Sequence, residues 1–174
     1  GKQLGIIGMG RIGQSLARRA LASGMEIVYH NRNRLDKSIE KMYQAQWVTL
    51  DQLLQTSDYI SLNAPSTPET YHMIGERAFG MMKPTAVFIN TARGDMVDER
   101  ALATVLKSRK IFAAALDVYE NEPQILPELL MLDNVVLAPH AGTKTLEDRI
   151  RMSEEMVQNI IGFYEGRYPI SRVN

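Results

Sequence analysis

Arg93, Glu122 and His140 each follow a short apolar run of β-strand composition: Ala86-Val87-Phe88-Ile89-Asn90, Ile111-Phe112-Ala113-Ala114-Ala115-Leu116 and Asn134-Val135-Val136-Leu137-Ala138. A guanidinium, a carboxylate and an imidazole form a working set for acid–base chemistry on an anionic substrate. Arg93 can clamp a carboxylate through paired, charge-assisted hydrogen bonds. His140 can give a proton to a neighbouring oxygen, or take one from it in the reverse direction. A carboxylate such as Glu122 beside the ring would orient it and favour its charged form. A 2-oxo acid, with a ketone next to its carboxylate, suits this set. Hydride arriving at the ketone carbon would build negative charge on the oxygen that His140 protonates. Three residues that leave strands of one parallel sheet would meet at its carboxyl edge, where open α/β folds bind ligands.

Such a reaction needs a hydride carrier, and the glycine turn Gly8-Met9-Gly10-Arg11-Ile12-Gly13 is placed to hold one. It follows the run Leu4-Gly5-Ile6-Ile7 directly and opens a helical pattern. That context lets backbone approach a pyrophosphate and aims the free N–H groups and positive dipole end of the helix at it. Gly8, Gly10, Arg11, Ile12 and Gly13 are therefore expected to bind a dinucleotide. A second strand, Glu26-Ile27-Val28-Tyr29-His30, should end where an acidic residue would bond the ribose hydroxyls of NAD. Asn31 stands there, followed by Arg32, Asn33 and Arg34. A neutral residue removes repulsion against a 2′-phosphate and guanidinium groups can grip it, so Asn31, Arg32 and Arg34 point to NADP(H) as the preferred cofactor, with NAD(H) also possible.

The elements that must position these groups alternate in the rhythm of repeated βαβ units. Further strands are expected near residues 45–48 and 58–63, and helices over 11–23, 37–43, 50–55, 76–82 and 98–108. The fold class expected is α/β, a Rossmann-type doubly wound parallel sheet. Residues 143–165 form a long charged-and-apolar helical pattern that would cover the sheet or cross to a neighbouring domain, and Asn121-Glu122-Pro123 with Pro127 mark a loop. With 174 residues, 45% of them hydrophobic, the chain has material for one domain with a sizeable core. Lys plus Arg equals Asp plus Glu at 20 each, so neither a nucleic-acid nor a membrane partner is expected. No run is long enough to span a bilayer, no signal peptide opens the chain, and a cytoplasmic protein is the default. Without cysteine there is no disulfide framework and no thiolate metal site, and no metal is expected. Gly1 is followed at once by Lys2-Gln3 and a buried-type strand, so the gene product is expected to start upstream.

Four ordered motifs carry a family resemblance: the glycine turn, Asn90-Thr91-Ala92-Arg93-Gly94 with Val97-Asp98-Glu99, Leu116-Asp117-Val118-Tyr119-Glu120-Asn121-Glu122-Pro123, and Pro139-His140. Together they resemble the nucleotide-binding domain of the D-isomer-specific 2-hydroxyacid dehydrogenases, over nearly the whole chain. The resemblance implies that Arg93 holds the substrate carboxylate, that Glu122 pairs with His140, and that Asp117 bonds the nicotinamide carboxamide. It also implies cofactor contacts at Pro65 and Thr91. Tyr29-His30-Asn31-Arg32 is similar to the NADPH-preferring glyoxylate and hydroxypyruvate reductases of the group. Ser61-Leu62-Asn63-Ala64-Pro65 departs from the family's turn in having Asn63 where histidine is frequent, with little loss of function expected. The implied activity is an oxidoreductase acting on a small 2-hydroxy or 2-oxo acid, homodimeric at full length. The other reading open to this lineage is a dinucleotide-sensing corepressor. The resemblance also implies that the nucleotide domain is inserted into a substrate domain, which is expected to lie outside this chain. Residues 1–174 would thus be the dinucleotide domain, with 143–174 returning toward the absent one, and would have little activity alone.

Overall fold

A computed structural model describes residues 1–167 of the chain. They form two compact units, Gly1–His140 and a segment from Ala141 onward. The first is the α/β unit. Its strands are β1 (Gln3–Ile7), β2 (Glu26–His30), β3 (Ala45–Trp47), β4 (Tyr59–Leu62), β5 (Val87–Asn90), β6 (Ala113–Leu116) and β7 (Val135–Leu137). Its helices are α1 (Arg11–Ala22), α2 (Lys37–Met42), α3 (Leu50–Thr56), α4 (Glu76–Met81), α5 (Glu99–Lys107) and α6 (Pro127–Leu130). All strand pairings are parallel, and the order is β3-β2-β1-β4-β5-β6-β7. The order reverses between β1 and β4, which is the Rossmann arrangement and places the ligand crevice over their carboxyl ends.

Alternation along the strands sorts the core into two faces. Ile6, Ile27 and Tyr29 pack with Met9, Ala17 and Ala20 of the first turn and helix, whereas Ile7, Val28, Ile60, Leu62 and Phe88 pack with Leu53, Phe79 and Leu102. The Phe79 and Phe88 rings meet edge to face at 5.5 Å. Burial of each such ring stabilises the fold by about 1.5–3 kcal/mol. Among the methionines, Met9, Met82 and Met96 are buried and Met42 and Met131 are exposed.

Local chemistry ends the helices where the sequence suggests. Thr49 and Gln52 form a reciprocal capping box on α3, and the Asp98 carboxylate accepts the Ala101 amide at the start of α5. The unit from Ala141 onward contains α7 (Leu146–Tyr164), whose Thr145 hydroxyl caps the Asp148 amide. The end of the expected 143–174 segment, residues 168–174, lies outside the described residues. No described helix is long and apolar enough to cross a membrane.

Candidate active site

Strand register assembles the site. His30 pairs with Ile7, Ile7 with Leu62, Leu62 with Asn90, Asn90 with Leu116 and Leu116 with Leu137. The residues that follow this row therefore leave the sheet side by side: Asn31, Gly8, Asn63, Thr91, Asp117 and Ala138.

At the crevice the glycine turn is fixed from both sides. Gly8 N–H donates to the His30 carbonyl and the Asn63 N–H to the Ile7 carbonyl, while the Met9 N–H donates to Asn31 Oδ1 at 2.7 Å. Gly8 has φ +93°, and a Cβ there would stand 2.5 Å from the Ala64 nitrogen. A side chain is excluded twice, by the left-handed backbone and by the β4 loop. A Cβ on Gly13 would meet the Gly8 carbonyl oxygen at 2.5 Å, so this glycine lets α1 pack close. Gly10 is different: nothing lies within 4 Å of its Cβ position. It caps α1 without any side chain, and the first turn of that helix carries no acidic residue. The Arg11, Ile12 and Gly13 amides make no hydrogen bond among the described residues. Open space at Gly10 beside free amides and a positive helix end fits a pyrophosphate.

The basic stretch after β2 divides into two roles. Arg34 forms a two-pronged pair with Glu40, Nε to Oε1 and Nη2 to Oε2 at 2.8 Å each. Glu40 also accepts the Tyr29 hydroxyl at 2.7 Å, and that hydroxyl accepts the Leu35 amide. Arg34 thus braces the loop. Arg32 is exposed and makes no hydrogen bond or ion pair with any described residue. The Arg34 and Tyr29 hydrogen bonds hold the Glu40 carboxyl down at about 2. Because its folded value lies below the unfolded one, the associated stability is present above the ordinary carboxylate range near pH 4.3 and is lost as pH falls toward 2. We expect Glu40→Ala to flatten the acid limb of a plot of Tm against pH between those limits.

Farther along the edge, the buried Asn90 shapes the turn that presents Arg93. Its Oδ1 accepts the Ala92 amide and its Nδ2 donates to the Arg93 carbonyl. The exposed Arg93 donates through Nη1 to the Ala92 carbonyl at 2.6 Å. Thr91 and Pro65 are exposed beside the crevice, and the Asp117 amide donates to the Asn90 carbonyl where β6 ends.

Glu122 and His140 meet. Nδ1 of the imidazole lies 2.8 Å from Oε2 of the carboxylate, whose Oε1 accepts the Tyr119 amide at 3.0 Å. Since a carboxylate only accepts, Nδ1 carries the hydrogen and Nε2 is left for a reacting atom. The Tyr119 hydroxyl donates to the Ala138 carbonyl at 2.7 Å, linking the Glu122 loop to the His140 loop. His140 is held at φ +51°, a left-handed conformation that is uncommon for a side-chain-bearing residue. The His140 hydrogen bond holds the Glu122 carboxyl below its usual range, against some burial, helped by the Tyr119 amide and by the charges of His140 and Arg93. Arg93 thereby enters the electrostatics of the pair.

Two further polar contacts carry no signal in the sequence pattern. His72 places Nε2 2.7 Å from Glu120 Oε1. Glu99, buried at the start of α5, accepts the Glu120 amide at 2.8 Å. Their partners lie 48 and 21 positions away in sequence, beyond any periodicity.

Residues 1–142 match the family model described as D-isomer specific 2-hydroxyacid dehydrogenase, NAD binding domain, and the chain belongs to that family. A glyoxylate reductase of Thermococcus litoralis is 50% identical over 174 residues, covering 100% of this chain and 52% of the relative. Among solved structures, an NADPH-dependent glyoxylate/hydroxypyruvate reductase from Sinorhizobium meliloti, in complex with NADP and malonate, aligns with a TM-score of 0.92 at 33% identity, over 99% of this chain and 53% of that one. The D-mandelate dehydrogenase of Rhodotorula graminis aligns with a TM-score of 0.95 at 35% identity, over 100% of this chain and 51% of that one. The chain spans about half the length of the relatives it matches.

Proposed function

We propose that this chain is the dinucleotide-binding part of an oxidoreductase that transfers a hydride between NADP(H) and a small 2-oxo or 2-hydroxy acid of the glyoxylate and hydroxypyruvate type. The observation that carries the reading is the 2.8 Å contact of Glu122 with His140 Nδ1, at the same sheet edge as Arg93. Bound NADPH would supply the hydride. The glycine turn and the α1 amides would hold its pyrophosphate, and Asp117, with Thr91 and Pro65, would border the nicotinamide end. Arg93 would fix the substrate carboxylate. His140 would deliver the proton from Nε2 to the ketone oxygen as the C–H bond forms, and the carboxylate of Glu122 would stabilise the charged ring in the meantime. The test is a panel of 2-oxo acids assayed with both cofactors on the full-length gene product; absence of glyoxylate- or hydroxypyruvate-dependent NADPH oxidation would sink it.

The preference for NADP(H) is supported by Asn31, which bonds the Met9 amide and places no charge there, and by the unpaired Arg32. Calorimetry should give tighter binding of NADPH than NADH, with a ratio that shrinks as salt screens the exposed guanidinium. Loss of one charge-assisted hydrogen bond costs about 1.5–3 kcal/mol, so Arg32→Ala should lower the ratio roughly tenfold or more. Arg34→Ala should lower it less, because that side chain already serves Glu40. Asn31→Asp combined with Arg32→Ala should move the preference toward NADH. Equal affinities for the two cofactors at low salt would refute the assignment.

A further inference from the structure

Three loops leave the adjacent strands β4, β5 and β6, and one residue ties them together. The Glu120 side chain reaches the first loop, where its Oε1 lies 2.7 Å from His72 Nε2 and 3.3 Å from the Tyr71 hydroxyl. The Tyr71 and His72 rings are stacked at 4.0 Å. His72 is itself fixed, its amide donating to the Asp95 carbonyl and its backbone at φ +47°. The Glu120 backbone N–H reaches the second loop, donating to Glu99, whose side chain is nearly sealed from solvent at 5% residue exposure. Gly94 presses on the same stretch from the Arg93 side. Two residues beyond Glu120 stands Glu122.

We propose that Glu99 and His72, both acting through Glu120, are positioning residues that hold the loop carrying Glu122 so that its carboxylate meets His140. The inference rests on the acid–base reading of that pair. Glu122 is an exposed side chain that spans from the Tyr119 amide to His140, and a hydrogen bond weakens steeply once its angle is lost. A loop free to shift would break both contacts. Glu99 is a costly means of restraint if nothing depends on it. Its buried carboxyl is pushed up by desolvation, opposed by the Glu120 amide, and pushed up again by the negative charges of Glu120 and Glu122. A carboxyl so placed gives a directional acceptor where an apolar side chain would give none.

The test is solution NMR on this chain, following the Glu122 carboxyl carbon through a pH titration, the ring nitrogens of His140, and hydrogen exchange at the Glu120 amide. Glu99→Ala should return the Glu122 midpoint toward the ordinary carboxylate value, remove the hydrogen-bonded Nδ1–H signature of His140, and speed Glu120 exchange at least about tenfold. Glu99→Gln keeps an acceptor oxygen and should restore all three. His72→Asn tolerates the left-handed backbone but is too short to reach Glu120; it should shift the same signals in the same direction by a smaller amount. If Glu99→Ala does not fold, His72→Asn decides the matter. A folded variant with lower Tm but unchanged Glu122 and His140 signals would make these contacts structural only and overturn the proposal. Failure of the acid–base reading would appear elsewhere, as turnover that survives loss of His140, and these spectra do not depend on it.

Discussion

Replacing His140 should lower turnover by about 10²–10⁴-fold, the range for a positioned acid–base group, while dinucleotide affinity stays within about twofold of the original. The imidazole has one nitrogen turned to Glu122, and the other makes no hydrogen bond with any described residue. The proposed pyrophosphate and ribose contacts lie at the glycine turn and after β2, at the far side of the sheet edge from β7 and His140. Backbone conformation guides the choice of variant. At φ +51° alanine would add a strain of about 1–2 kcal/mol, so His140→Asn, which accepts a left-handed backbone but cannot transfer a proton at neutral pH, is the cleaner probe. Steady-state assays on the full-length gene product with glyoxylate and hydroxypyruvate would measure the first quantity, and calorimetry the second. Near-normal turnover in either variant would remove His140 from the chemistry.

Gly94→Ala should be the most damaging single methyl in the α/β unit. A Cβ at this position would stand 1.9 Å from the Tyr119 carbonyl carbon, 2.1 Å from its oxygen and 2.3 Å from the Glu120 nitrogen. All three atoms are backbone, so no side chain can rotate aside, and the Glu122 loop must move away from Arg93. Overpacking of this kind costs about 3 kcal/mol or more. For a chain of this size that is a fall in Tm of roughly 6–12 °C. Gly80→Ala is the matched control. Nothing lies within 4 Å of its Cβ position in α4, and helix propensity alone should stabilise it by about 0.5–1 kcal/mol. A Gly94→Ala protein as stable and as active as the parent would show that the two loops can separate without consequence.

Repetition made most of the fold legible. Each strand and each helix of two turns or more shows its period within a window of its own length, and α1, expected over 11–23, forms as Arg11–Ala22. Helix α6 did not show itself, because Pro127–Leu130 is only four residues and a single turn has no period; its one signal was a proline at the first helical position. The Gly94–Met96 3₁₀ turn is hidden for the same reason. Within the site, Glu122 and His140 stand 18 positions apart with a strand between them, so the pattern brings them to one sheet edge and the family resemblance implies their pairing. Arg34 shows the limit more sharply. Its type and place after β2 suit a phosphate, yet Glu40, itself held by the Tyr29 hydroxyl, claims it. Which partner a flexible guanidinium takes is decided by the folding of α2 against β2, a tertiary event that local pattern does not encode.

The Glu122 and His140 side chains retain 36% and 50% of their full exposure. Water at that level weakens the attraction between opposite charges, which varies inversely with the local dielectric constant. The effective value is about 80 in bulk water and about 20 for pairs near a protein surface, and it falls further as water is excluded. Whatever covers this edge, substrate or protein, therefore also strengthens the couple beneath it. On the proposed acid–base reading, the proton donor would come to full electrostatic support only once the site is covered, so that occupancy itself would arm the reaction.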